Sequence, residues 1–130
     1  MSYHVNFEKY CNEAELWQNE LASMMGFPQK TDWALNVLKA VLTTIRDRTT
    51  VQEVFHLSAQ LPVLVRGFYF EGYNPSHKPL KMNAEAFMKE INNRMGPSVE
   101  LSADDAFEAV LQLLYAKVSE GELADIRHSM

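Results

Sequence analysis

The apolar residues of this chain fall three and four positions apart in one stretch after another, a spacing that confines it to helices. Leu16, Trp17, Leu21, Met24 and Met25 keep that rhythm, as do Val37, Leu38, Val41, Leu42 and Ile45. Phe87, Ile91 and Met95 repeat it, and so do Phe107, Val110, Leu111 and Leu114. No stretch alternates apolar and polar residues for long enough to read as a strand. Start and stop signals agree with the rhythm. Asn12 with Glu15, Thr50 with Glu53, Ser102 with Asp105 and Ser119 with Glu122 have the spacing of a capping box. Gly26 and Gly96 follow Met25 and Met95, where a left-handed residue closes a helix. The pattern predicts helices over about 12–25, 32–48, 50–61, 62–71, 83–95, 102–117 and 119–129. Pro62 can open the fourth of these, because its missing N–H has no partner to lose in a first turn. Residues 72–82 hold Gly72, Asn74, Pro75, Ser76 and Pro79 and read as the one long loop. The expected fold class is all-α.

The second half of the chain echoes the first. An offset of 70 lays Ala14–Gly26 on Ala84–Gly96, pairing Trp17 with Phe87, Leu21 with Ile91 and Met25-Gly26 with Met95-Gly96. One deletion later, an offset of 69 lays Ala34–Leu61 on Ala103–Met130. Val41-Leu42 then meets Val110-Leu111, Glu53 meets Glu122, Val54 meets Leu123 and Leu57 meets Ile126. The reading is two quasi-repeated units, about 12–71 and 83–130, each a long hairpin with a short third helix. Three helices leave apolar faces exposed, so the units are expected to pack together, with approximate two-fold symmetry, as one bundle and one domain over 1–130. The fourth helix of unit one has no counterpart after Met130. The surface it covers should therefore lie open in unit two, lined by Leu123, Ile126 and Met130.

Composition narrows the function classes. Seventeen acidic against twelve basic residues give a net charge of −5, which speaks against a nucleic-acid-coating surface. Arg46, Arg48, Arg66, Lys78 and Lys81 could form a basic edge, but Glu100, Asp104, Asp105, Glu108 and Glu120 make the second unit acidic. No apolar run approaches the ~20 residues of a membrane span, and no basic-then-apolar leader pattern opens the chain. The single Cys11 forms no internal disulfide and fits a reducing compartment, so a cytoplasmic protein without membrane or nucleic-acid partners is expected.

From Ala34 to Pro79 the chain carries a distinctive series. It comprises a leucine-rich helix, Arg46-Asp47-Arg48, Glu53, Gln60-Leu61-Pro62, Arg66-Gly67, Tyr69 and Glu71-Gly72. This series resembles the signature of an uncharacterised bacterial family, domain of unknown function 2267, and the resemblance extends over nearly the whole chain. Tyr73 stands where that family typically has Trp. The resemblance implies an all-α, cytoplasmic bacterial protein and carries no activity with it.

Two chemistries compete for the remaining signals. A carboxylate-bridged di-metal site would draw on Glu20, Glu53-x-x-His56, Glu90 and Glu122-x-x-Asp125, in the manner of ferritin-like bundles. Against it, Glu53 and Glu122 occupy capping-box positions, and Asp125 stands where the second His would be. Cys11 lies just before the expected start of the first helix, yet nothing beside it completes a nucleophilic site. No nucleophile elbow or phosphate-binding glycine loop is present, and no cofactor is called for. The stronger reading is a non-enzymatic interaction or scaffold module. Four aromatics in six residues, Phe68, Tyr69, Phe70 and Tyr73 with Arg66 and Glu71 around them, cannot all face one core from a short helix. They either lid the core or, with Ile126 on the open face, form a contact for a protein partner or a homodimer.

Overall fold

The computed structural model describes residues 6–118 and 120–130, the side chains of residues 120, 122 and 129 excepted. Seven helices account for the described chain: α1 (Phe7–Met24), α2 (Thr31–Arg48), α3 (Val51–Ser58), α4 (Val63–Phe70), α5 (Ala84–Met95), α6 (Ala103–Lys117) and α7 (Glu120–Ser129). No strand occurs among the described residues, so the fold is all-α.

Local chemistry sets most of these boundaries. Thr50, Asn83 and Ser102 each accept a hydrogen bond from the backbone N–H three residues on, at Glu53, Ala86 and Asp105. Gly26, at φ +86°, closes α1 in a Schellman motif. Its N–H donates to the Ser23 carbonyl and that of Phe27 to the Ala22 carbonyl, both at 3.0 Å. Phe27 then lies against Trp33, ring centroids 5.2 Å apart, and turns the chain into α2.

Three expectations need correction. Helix α1 begins five residues before Asn12, because Asn6 supplies the cap by accepting from the Lys9 N–H at 3.0 Å. The added turns are too polar and exposed for periodicity to detect. Asn12 therefore lies inside the helix, and Cys11 is an exposed residue of α1, not one that precedes it. Pro62 is the N-cap of α4, not its first helical residue, and the three residues before it form a turn that ends α3 early. Ser119 and the side chain of Glu122 lie outside the described residues.

Helix α2 is the hub. It packs against α1, α4, α5 and α6, and even Thr44, Arg46 and Asp47 are buried along it. Helix α1 also meets α4 and α6, α5 meets α6, and the short helices α3 and α7 pack on each other. One apolar cluster runs through all of them, from Trp17 and Leu21 through Val41 and Tyr69 to Ile91, Leu113 and Ile126. The loop between α4 and α5 is fastened to the end of α2: the Leu80 N–H donates to the Asp47 carbonyl at 2.8 Å, and Arg48 Nε to the Met82 carbonyl at 3.1 Å.

Candidate functional site

The aromatic segment is built into the fold over most of its length. Tyr69 is fully buried and its hydroxyl donates to the Val54 carbonyl at 2.9 Å, pinning α4 to α3. Phe70 lies between Phe55, Tyr69 and Tyr73, with centroids 5.5, 5.2 and 6.4 Å away. Phe68 is half-buried beneath the Lys39 ammonium. Arg66 reaches back to the C-terminal end of α3 and the turn after it, donating to the Ser58 carbonyl at 2.8 Å and the Leu61 carbonyl at 3.1 Å. Glu71 is exposed, and its backbone carbonyl serves Arg46.

Arg46 heads a charged knot that the spacing of residues did not disclose. Its guanidinium makes two bonds to the Asp47 carboxylate and two to the carbonyls of Tyr69 and Glu71, at 2.8–3.1 Å, and lies 5.2 Å from the Tyr73 ring centre. Arg94 of α5 donates to the same Asp47 carboxylate at 3.0 Å and to Glu90 at 2.9 Å. Burial alone would raise the Asp47 pKa. Its hydrogen bonds and attraction to Arg46, and then to Arg94, outweigh that and hold it below the ordinary carboxylate value. Burial, with the Asp47 charge beside it, pushes the Tyr73 phenol up. The Tyr73 hydroxyl is buried and has no hydrogen-bond partner among the described residues. Arg46, Arg48 and Arg66 thus bond to carbonyls and a carboxylate inside the fold and do not form the basic edge considered above. An arginine within a buried helical stripe was the signal for this.

The carboxylates considered for metal are dispersed. Glu20 pairs with Lys117 at 3.0 Å, Glu90 with Arg94, and Asp125 is exposed. Glu53 Oε1 lies 3.5 Å from His56 Nδ1, while Oε2 is buried without a partner. The Glu53 half of the capping box is therefore not made, although the Thr50 half is. No group of three or more His, Cys, Asp or Glu residues placed to hold a metal ion occurs among the described residues.

Ile126 belongs elsewhere. With Leu123, Arg127 and Met130 of the C-terminal segment it lines a cavity of about 280 Å³, closed on the other sides by Phe107, Leu111, Leu114 and Tyr115 of α6 and by Ile45. The cavity lining includes none of the aromatic-segment residues. Ile126 is only 6% exposed, so it is a wall of this cavity and not an open patch. Arg127 is the one charged side chain in the lining, and it hydrogen-bonds the Tyr115 hydroxyl at the half-exposed rim. A second depression continues from the first, sharing Phe107 and Met130 with it. Its one charged lining residue is Arg48.

Among known families, the model described as an uncharacterized conserved protein, DUF2267, matches residues 14–130, and the chain belongs to that family. No curated protein matches it. No helix among the described residues is long and apolar enough to cross a membrane.

Proposed function

We propose that this chain is a non-enzymatic helical interaction module whose contact surface is the apolar groove between α6 and α7. The observation that carries the reading is the cavity of about 280 Å³, walled almost wholly by Ile45, Phe107, Leu111, Leu114, Leu123, Ile126 and Met130. Its volume is close to the lower end of small-ligand and side-chain pockets, about 300–1,000 Å³. Among the described residues, Tyr115 and Arg127 are the only polar side chains in its lining. It is suited to hold an apolar group, not to transform one. The aromatic segment, by contrast, serves to lid the core.

The same reading takes the molecule as two units related by an approximate two-fold axis. Supporting it, α2 meets α6 and α3 meets α7, while α1 lies on α6 and α5 on α2. A two-fold axis passing between α2 and α6 generates that set of pairings. A bacterial cytoplasmic setting accords with the family resemblance and with the single, exposed Cys11.

The test is an environment-sensitive apolar dye, bis-ANS, titrated into the folded protein. Saturable binding of one equivalent is expected, lost in Leu111→Asp, which places a charge in the half-buried wall of the groove. Dye binding that this variant leaves unchanged would contradict the assignment of the surface.

A further inference from the structure

Helix α4 touches the preceding part of unit one at four places that carry the inference. Tyr69 meets Arg46 through its carbonyl and Val54 through its hydroxyl; Arg66 meets the carbonyls of Ser58 and Leu61. Under the offset of 69 those four residues become Tyr115, Leu123, Arg127 and Met130. All four line the cavity at the α6–α7 end. The cavity is thus the unit-two equivalent of the place where the Tyr69 ring lies in unit one; α4 itself packs on α1 and α2, and their counterparts α5 and α6 flank the depression that continues the cavity. A cavity of roughly 150 Å³ is enough to take up a benzene ring, so about 280 Å³ accommodates an aromatic side chain with room beside it.

Charge specifies the occupant further. The cavity and the depression that continues it contain one charged side chain each, Arg127 and Arg48, both cationic on a chain of net charge −5. In unit one the position of Arg127 is held by Ser58, whose carbonyl accepts from Arg66. A residue at the Arg66 position of an occupant would therefore face a guanidinium, which calls for a carboxylate. This rules against the α4 of a second copy, whose own Arg66 would face Arg127 and whose Val65 and Tyr69 are buried at home.

We infer that the α6–α7 groove binds a short amphipathic helix of a partner protein, with an aromatic side chain entering the cavity and an acidic residue three positions before it facing Arg127. The inference rests on the groove being the contact surface. It adds the class of partner and its orientation.

The probe is a synthetic peptide spanning Leu61–Tyr73 of this chain, used as it stands and with Arg66→Glu, titrated into the full-length protein by fluorescence anisotropy. Saturable binding is expected, about fivefold tighter for the Arg66→Glu peptide. Tyr69→Ala in that peptide should weaken it about thirtyfold, as loss of a central anchor does. In the protein variant Arg127→Glu, an exposed substitution whose folding is checked by circular dichroism, the preference should invert toward the unmodified peptide. Absence of saturable binding by either peptide would overturn the inference, as would indifference to Tyr69→Ala or an unchanged preference in Arg127→Glu. A wild-type protein that sediments as a dimer, more tightly associated after Arg127→Glu, would also overturn it in favour of a second copy. If the peptides fail while bis-ANS still binds and Leu111→Asp abolishes it, the helix inference alone is lost. Failure of both probes removes the contact surface as well.

Discussion

The α2–α3 end of the molecule is covered by α4 and the α6–α7 end holds a cavity, although an offset of 69 in the sequence sets apolar residues at corresponding positions of both. At the first, α4 lays Val65 and Tyr69 into the groove, and Arg46 and Arg66 bind four backbone carbonyls there. At the second, the positions of Arg46 and Asp47 are taken by Tyr115 and Ala116, and that of Ser58 by Arg127. A charged knot, an aromatic plug and a covering helix at one end thus face a cavity rimmed by a phenol and a guanidinium at the other. Closure of the first end thus resides in α4 and in the polar residues that fasten it, and not in the apolar residues of α2 and α3 alone.

Removing the plug should have the largest effect. Tyr69→Ala takes away a fully buried ring and leaves the Val54 carbonyl without its partner, and a loss of about 4 kcal/mol is expected in urea denaturation. Tyr115→Ala, at the half-exposed rim of the other end, should cost less than about 0.5 kcal/mol in the same measurement.

Next comes the knot. Asp47→Ala would leave Arg46 buried and unpaired, at a cost of about 3 kcal/mol. Its pH dependence follows from the sign of the shift. The folded pKa lies below the ordinary value of 3.8, so the carboxylate stabilises the fold above that pH. The contribution falls away as pH drops below about 4 toward the depressed folded value. Wild-type protein should therefore lose stability through this acid range more steeply than Asp47→Asn, as followed by thermal melts at successive pH values.

Filling the open end should act in the opposite direction. Leu111→Phe extends a half-buried wall into the cavity and is expected to stabilise the protein by about 1 kcal/mol while displacing bis-ANS. The smallest effect concerns the overhang of α1, which starts seven residues ahead of Ala14, the counterpart of Ala84 at the start of α5. Asn6→Ala should cost about 0.5–1 kcal/mol and Asn12→Ala almost nothing, read by amide exchange in the first turns.

The sequence was most legible where spacing and caps coincide. Thr50 and Ser102 mark their helices, and the Met-Gly pairs at Met25 and Met95 mark two ends, because these are local interactions within a few residues. The offset also grouped Leu123, Ile126 and Met130, but as an open face, whereas Leu123 and Ile126 are buried walls of a cavity. What stayed hidden depends on contacts distant in sequence. Arg46 and Asp47 look like surface charge until Tyr69, Glu71 and Arg94 are brought to them from 23 to 47 residues away. The aromatic segment posed the same difficulty. Composition could not divide Tyr69, which is in the core, from Phe68, which lies at its margin under Lys39.

The central claim is that the α6–α7 cavity is a binding site equivalent to the place α4 fills at the other end. It is tested most directly by methyl nuclear magnetic resonance of the isoleucine and leucine side chains during titration with the Arg66→Glu peptide. Saturating shifts are expected at Leu111, Leu114, Leu123 and Ile126, while Leu35, beside α4, and Leu64, within it, stay in place. Shifts centred on Leu35 and Leu64, or none at the cavity methyls at saturating peptide, would contradict it.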